Sequence, residues 1–142
     1  KVCLMELSKR TFEKLECMLR EKNLSVHYFG TAFDTVADEG RMMQVITNLA
    51  TNAIRYSPVG GDIYVTVKRQ EGKTLYAMEN QCPNLSKEEL AQIWDRFFKA
   101  DSARSSRGTG LGLPIVKAIV ELHGGTCQVK NTDTDVEFQF TL

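Results

Sequence analysis

Two asparagines spaced one helical turn apart form the first pattern in the sequence that could do chemistry. Asn48 and Asn52 lie in the stretch 39–56, whose apolar residues recur at helical spacing. Both carboxamides are therefore expected on one helix face, and their oxygens are suitable hard ligands for Mg²⁺. One turn further on, the Arg55 guanidinium suits phosphate and the Tyr56 ring could cover a base. Taken alone, the segment favours a plainer interpretation, with solvated asparagines and Tyr56 in the core.

A second pattern, residues 108–113, reads Gly-Thr-Gly-Leu-Gly-Leu and stands directly before a predicted helix. Glycines at every second position let a backbone approach an anion closely, and the helix N-terminus behind them offers unpaired N–H groups. The preceding serine- and arginine-rich stretch adds positive charge, which indicates a phosphate-binding lid. The dinucleotide fingerprint and the Walker loop do not fit, because neither a βαβ context nor Gly-Lys-Ser/Thr is present. A flexible glycine hinge is the alternative.

A third pattern, residues 79–85, leaves a predicted strand and enters a loop. The side-chain carbonyl of Asn80 could accept a hydrogen bond from the amino group of adenine. Taken alone this pattern is weak, since asparagine and proline are common turn residues.

The elements that must hold these three segments follow from the spacing of apolar residues. Four helices are predicted: one capped by Ser8, one over 39–56, a short one from Ser86 to Trp94, and one over 113–123. Strands are predicted near 24–28, 63–67, 75–77, 127–129 and 136–142, with a hairpin turn at Glu71-Gly72. Helices alternating with hairpin-linked strands predict an α+β fold, a two-layer sandwich with helices on one face of a mainly antiparallel sheet.

Composition excludes several classes of protein. The 142 residues suit a single domain, and 18 basic against 18 acidic side chains provide no field that would attract nucleic acid or an anionic membrane. No apolar run approaches the roughly 20 residues that span a bilayer. The scattered Cys3, Cys17, Cys82 and Cys127 suit a reducing compartment better than a zinc site or a disulfide framework. Regular patterning from Lys1 onward suggests a fragment of a longer protein, although processing could give the same start.

Together, and in this order, the three segments resemble the ATP-binding catalytic domain of sensor histidine kinases. That family shares a superfamily with gyrase-type, heat-shock chaperone and mismatch-repair ATPases. Residues 44–61 look like its asparagine box, 94–99 like its aromatic box and 108–113 like its second glycine box. The resemblance implies that 1–142 is one catalytic domain, with a mixed, mainly antiparallel five-stranded sheet under three helices, whose dimerisation and sensor domains lie elsewhere.

The resemblance also implies roles for single residues. Asn52 would ligate the Mg²⁺ that bridges the phosphates of ATP, with Asn48 supporting the metal or contacting the phosphates. Arg55 would reach phosphate oxygens, and these three residues form the predicted catalytic group. Tyr56 would pack on adenine and Asn80 would read its amino group. The other predicted nucleotide-binding residues are Asn84, Arg107, Gly108, Thr109, Gly110, Leu111 and Gly112, with Trp94, Phe97 and Phe98 anchoring the lid.

The first glycine box departs from the family pattern Asp-x-Gly-x-Gly. Asn80, Cys82 and Asn84 stand at its three defining positions. An asparagine can still accept through its carbonyl, without the charge, so a weaker adenine contact is expected. The Cβ atoms of Cys82 and Asn84 restrict the backbone, although asparagine tolerates the left-handed region better than most residues. Val136 stands where a hydroxyl residue often joins the adenine site.

The reaction is expected to be transfer rather than hydrolysis. Asn48 occupies the turn where ATP-hydrolysing members of the superfamily carry a glutamate base, and an amide is no general base. Phosphoryl transfer needs mostly positioning and charge neutralisation. His27 lies in a strand pattern with no adjoining acidic residue, and His123 ends a helix, so neither is expected to be the acceptor. The acceptor histidine is expected upstream.

The resemblance implies ATP and Mg²⁺ as cofactors, and two partners. These are the protein's own dimerisation and phosphotransfer domain and a cognate response regulator. This domain is expected to be cytoplasmic and away from the membrane, in a parent that is a membrane sensor, with no nucleic acid involved. Two alternatives stay open: a non-catalytic binding module of the same fold, and a serine kinase acting on an anti-sigma partner. An acceptor serine protein would identify the latter.

Overall fold

The computed structural model describes residues 1–95 and 112–142. In these ranges the chain forms seven strands and five helices. The strands are β1 (Val2–Cys3), β2 (Ser25–Gly30), β3 (Asp34–Thr35), β4 (Asp62–Gln70), β5 (Lys73–Gln81), β6 (Thr126–Asn131) and β7 (Asp135–Thr141). The helices are α1 (Leu4–Lys14), α2 (Glu16–Glu21), α3 (Glu39–Tyr56), α4 (Lys87–Gln92) and α5 (Gly112–Leu122).

The main sheet has five strands in the order β2-β4-β5-β7-β6. β2 pairs parallel with β4 and every other pairing in this sheet is antiparallel. Glu71 and Gly72 join β4 to β5 with φ angles of 52° and 77°, so both occupy the left-handed region that tight hairpin turns use. The predicted α+β class, the mixed five-stranded sheet and this hairpin are confirmed.

The three long helices pack on one face of the sheet, with α3 between α1 and α5. α3 packs on β5 and buries its apolar stripe in the core that also contains the alternating residues Ile63, Val65 and Val67 of β4. The predicted bounds of α3 are confirmed at both ends, and Asp38 Oδ1 accepts from the Arg41 N–H as its N-cap. The buried stripe and the N-cap together hold α3 in place on the sheet.

The predicted start of the first helix is wrong. α1 begins at Leu4, because Leu4 and Leu7 are fully buried and extend the apolar face one turn earlier than Ser8. Ser8 lies inside the helix, where its hydroxyl donates to the Leu4 carbonyl at 2.9 Å and contacts the Tyr76 hydroxyl at 2.6 Å. Burial raises the pKa of Tyr76. A serine predicted to cap a helix instead bonds α1 to the centre of β5.

Candidate functional site

One flank of α3 carries the two predicted asparagines. Leu49 and Ala53 are buried in the core, whereas Asn48 and Asn52 are half-buried. Asn48 Nδ2 donates to the backbone oxygen of Gly112, the first residue of α5, at 3.3 Å. Because a carbonyl can only accept, this contact fixes the orientation of the amide and leaves Asn48 Oδ1 as the atom that could face a cation.

The C-terminal end of α3 is held by hydrogen bonds from the side chains of Lys22 and Ser57. Lys22 Nζ donates to the carbonyls of Ile54 and Arg55 at 2.7 and 3.0 Å, and burial lowers its pKa. A cation at this position complements the negative end of the helix dipole. The Ser57 hydroxyl also donates to the Ala53 carbonyl at 2.6 Å. Beyond these contacts Arg55 is exposed, as a phosphate ligand would have to be.

An open cavity of about 600 Å³ lies beside this helix end. Three segments form its walls: the end of α3, the end of β5 with the loop that follows it, and the turn between β6 and β7. The lining residues are Tyr56, Ser57, Pro58, Gln81, Cys82, Pro83, Asn84, Asp133 and Thr134. The structure thus brings together Tyr56 and Asn84, which were both predicted to bind the nucleotide. The polar residues Gln81, Asp133 and Thr134 of the other walls were not predicted.

Asn80 lies beside the cavity and does not line it. It is 3% exposed, on the helix-covered face of β5, opposite Ile63 and Val136. Its Nδ2 donates to the Gln81 carbonyl at 3.1 Å, so the orientation of this amide is fixed as well. The side-chain oxygen is the atom left to accept, which is the orientation that the predicted adenine contact requires.

Cys82 occupies one wall as a half-buried thiol. Burial raises its pKa, and the carboxylates of Glu89 and Asp135 raise it further. Since the thiolate is the nucleophilic form, Cys82 is poorly suited to nucleophilic chemistry at neutral pH. A packing role fits it better.

Three carboxyl groups meet on the uncovered face of the sheet, near the cavity. Glu79 of β5 lies opposite Glu137 of β7, and Asp135 begins β7 beside the turn that lines the cavity. A hydrogen bond with Asp135, followed by burial and the two neighbouring charges, raises the pKa of Glu79 to about 8. The Glu79 carboxyl therefore keeps its proton to a higher pH than an ordinary glutamate does. The register of β5 and β7 brings these three carboxyl groups together, and no local sequence motif predicts their proximity.

Both histidines are placed away from the asparagine face. His123 Nδ1 donates to the Ile119 carbonyl at 2.9 Å and its Nε2 accepts from the Asp38 N–H at 3.1 Å, so both ring nitrogens are engaged. His27 has no acidic residue beside it in the sequence, as noted above, but it has one beside it in the folded chain. Parallel pairing of β2 with β4 places Asp62 Oδ1 2.8 Å from its Nε2.

Several predicted residues lie outside the described ranges. They are Arg107, Gly108, Thr109, Gly110 and Leu111, together with Phe97 and Phe98. Trp94 is described, and its ring meets Phe138 edge to face at 5.8 Å. Within the described part of the chain, no group of three or more histidine, cysteine or acidic residues could hold a metal ion. No helix in the same ranges is long and apolar enough to cross a membrane.

Comparison with known proteins gives one family and several relatives. Residues 37–142 match the family described as histidine kinase-, DNA gyrase B- and HSP90-like ATPase. Over 96 residues the chain is 43% identical to the sensor protein SrrB of Staphylococcus aureus, a match that covers 66% of this chain and 16% of SrrB. The chain therefore spans a small part of the length of the curated relatives that it matches.

Solved structures of sensor kinases share the fold over nearly the whole chain. The mycobacterial sensor histidine kinase MprB superposes with a TM-score of 0.89 at 28% identity, covering 99% of this chain and 95% of that one. The catalytic domain of the histidine kinase ThkA gives 0.86 at 29% identity, covering 96% and 90%. ThkA has also been solved in complex with the response regulator TrrA, where the match covers 96% and 39% at 27% identity, with a TM-score of 0.80.

Proposed function

This chain belongs to the family of histidine kinase-, DNA gyrase B- and HSP90-like ATPases, as a catalytic domain of the sensor histidine kinase kind, and we propose that it binds ATP with Mg²⁺ and transfers the γ-phosphoryl group. The acceptor is a histidine on a separate dimerisation domain of the parent protein. A cognate response regulator then receives the phosphoryl group. The parent is a membrane sensor that holds this domain in the cytoplasm.

The hydrogen bond from Asn48 to Gly112 is the observation that carries the proposal. It joins the two patterns with the clearest chemistry, the asparagine face of α3 and the N-terminal end of α5. These patterns are about sixty residues apart in sequence. Helix N-termini favour anions, and the amide oxygens beside this one favour a hard cation. In the proposed complex the phosphates and their metal lie between α3 and the start of α5.

The base is proposed to lie at the other end of α3. Eight residues separate Asn48 from Tyr56, which corresponds to roughly 12 Å of helix. An extended nucleotide can therefore run along α3, with phosphates near Asn48 and the base near Tyr56. Tyr56 would pack against the base, Asn80 Oδ1 would accept from its amino group, and Asn84 would close the wall. Residues 107–111 and Gly112 would enclose the phosphates.

The donor set at α3 fits a magnesium ion carried by a phosphate ligand. The amide contact with Gly112 leaves Asn48 Oδ1 for the cation side, and Asn52 lies one turn away. Mg²⁺ commonly binds few protein groups and completes its shell with water and substrate phosphates. When bound, the ion neutralises charge on the phosphates. Asn52 would be its ligand, with Asn48 in support.

Transfer to another domain suits the chain better than hydrolysis does. Asn48 provides no general base, and Arg55 is free to approach phosphate oxygens from solvent. His123 is engaged at both nitrogens and His27 lies on a strand, so the acceptor is proposed to lie elsewhere in the parent. The complex of the relative ThkA with its response regulator supports the assigned partner class.

One observation favours a second candidate. Cys82 and Asn84 place side chains on the cavity wall at positions where the family usually has glycine. If these side chains fill the space that adenine needs, the domain is a binding module that has lost its nucleotide and acts through protein contacts alone.

Calorimetric titration with ATP, with and without Mg²⁺, separates the two candidates. We expect micromolar binding that depends on Mg²⁺. In Asn52→Ala we expect the dissociation constant with Mg²⁺ to rise at least about tenfold, with little change in its absence. Gln92→Ala removes an exposed amide from another helix and is the control. No binding at millimolar ATP would reject the kinase and favour the binding module.

A further inference from the structure

The side chain of Asn131 pairs with both backbone groups of Leu85. The Leu85 N–H donates to Asn131 Oδ1 at 2.9 Å, and Asn131 Nδ2 donates to the Leu85 carbonyl at 2.8 Å. The carboxamide thus takes the place that a peptide group of a neighbouring strand would take in a ladder. Both ends of the amide are used, so the two hydrogen bonds fix its position and its orientation.

The two residues adjoin different walls of the cavity, although neither of them lines it. Leu85 ends the loop that carries Cys82 and Asn84, whereas Asn131 is the last residue of β6 and leads into the turn with Asp133 and Thr134. The pairing therefore connects the segments that form these two walls. We call these two hydrogen bonds the Asn131 clasp.

Each wall also has hydrogen bonds of its own. In the turn, the Thr132 N–H donates to the Asp135 carbonyl at 2.9 Å and the Asp135 N–H donates to the Thr132 hydroxyl at 3.2 Å. On the loop side, Ser86 and Glu89 form a capping box that fixes the start of α4. Since each wall is stiffened separately, the clasp sets mainly the distance between them.

We infer that Asn131 is a positioning residue, which sets the separation of the two cavity walls and thereby how tightly they enclose the base of the nucleotide. The inference rests on the proposed function. Binding groups must be held within about 0.5 Å of their working positions by supporting hydrogen bonds. Asn131 does not line the cavity, so its effect on binding has to pass through Leu85 and the loop.

Two variants of Asn131 and one control test the inference on the 142-residue chain. Asn131→Ala removes both hydrogen bonds, and Asn131→Asp turns the donor to the Leu85 carbonyl into a second acceptor. We expect either change to raise the dissociation constant for ATP about five- to tenfold. Gln128→Ala, an exposed position on the same strand, is expected to change it less than about twofold.

The thiol of Cys82 reports on the wall without any nucleotide. We expect Asn131→Ala to increase the rate of its alkylation by iodoacetamide several-fold at one fixed pH, measured by peptide mass spectrometry. Cys127, also half-buried and on the same strand as Asn131, is the internal reference. A local release of the loop exposes Cys82 alone, whereas general destabilisation increases the alkylation of both thiols.

The outcomes distinguish the two proposals. A selective increase at Cys82 together with weaker ATP binding supports the positioning role. Equal increases at both thiols, or an unchanged Cys82 rate in Asn131→Ala, would overturn it, as would ATP binding within twofold of the unchanged chain. If the unchanged chain binds no ATP while Cys82 still responds selectively, the proposed function fails and the control of wall separation by Asn131 stands.

Discussion

Gly112 begins α5 and Gly125 follows its end, and the surroundings of these two glycines differ sharply. At the C-terminal end, a Cβ placed on Gly125 would lie 1.9 Å from the Thr141 carbonyl oxygen and 3.1 Å from Val120 Cγ1. At the N-terminal end, a Cβ placed on Gly112 would meet its nearest described neighbour, Asn48 Cβ, at 3.9 Å, which is ordinary contact. Among the described residues, packing requires glycine after the end of the helix and leaves room for a methyl group at its start.

This difference separates a glycine of the fold from a glycine assigned to a function. Gly125 is explained by the close approach of its own backbone, at the entry to β6, to the Thr141 carbonyl at the end of β7. Gly112 begins the helix beside the asparagine face, and the described residues around it do not explain the absence of a side chain. A phosphate that approaches the backbone at Gly112 would supply the missing reason, and this is the arrangement that we propose.

The largest effect is expected at the crowded end. Gly125→Ala forces a methyl group into backbone atoms of β7, and we expect the free energy of unfolding to fall by about 3 kcal/mol, the upper part of the range for overpacking. Urea denaturation measures it. A loss below 1 kcal/mol would show that the chain relaxes easily here, and the contrast between the two ends would disappear.

A different pattern is expected at the open end. Gly112→Ala should leave the free energy of unfolding unchanged or raise it by up to about 1 kcal/mol, because alanine suits a helix better than glycine. The dissociation constant for ATP should rise about tenfold if phosphates approach this backbone. Calorimetry and urea denaturation of the same sample check both effects. Unchanged ATP affinity would place the phosphates away from Gly112.

A smaller, pH-dependent effect is expected at Glu79, near the cavity. Its pKa is raised from 4.5 to about 8, first by its hydrogen bond with Asp135 and then by burial and by the charges of Asp135 and Glu137. The resulting stability is complete below pH 4.5 and is lost as the pH rises towards 8. Lys130, which lies 3.4 Å from Glu137, is the cation closest to this group in the described structure.

Glu79→Gln tests this pH dependence. We expect the urea midpoint of the unchanged chain to fall between pH 5 and pH 9 by more than that of the variant. Glu71→Gln, at the exposed hairpin turn between the same two strands, is the matched control and should follow the unchanged chain. Parallel curves for all three proteins would mean that Glu79 holds no proton at neutral pH. The loss caused by Gly125→Ala should not depend on pH, which further separates the two regions.

Patterns contained within one element were predictable from the sequence. The bounds of α3 followed from its apolar stripe, and the capping box of α4 followed from the spacing of Ser86 and Glu89. α5 was predicted one residue late at each end. The family resemblance assigned Asn48 and Gly112 to the same phosphates, but the hydrogen bond between them was not predicted.

Features that depend on packing between elements could not be predicted. Ser8 was predicted to cap α1, but it lies inside the helix and contacts Tyr76, which is 68 residues away in the sequence. The short strands β1 and β3 contain two residues each, too few to show alternation. The Asn131 clasp joins residues 46 positions apart. The sequence around an asparagine at a strand end does not indicate which distant residue it will bind. These features arise once the chain is folded.

The contact of Lys22 with the end of α3 has a mechanical consequence. Lys22 donates to the carbonyls of Ile54 and Arg55, and its own carbonyl accepts from the Gly60 N–H at 2.7 Å. The segment after α2 and the helix end that carries Tyr56 are thus coupled in both directions. We therefore expect a displacement of α2 against the sheet to be passed through Lys22 to the end of α3 that carries Tyr56.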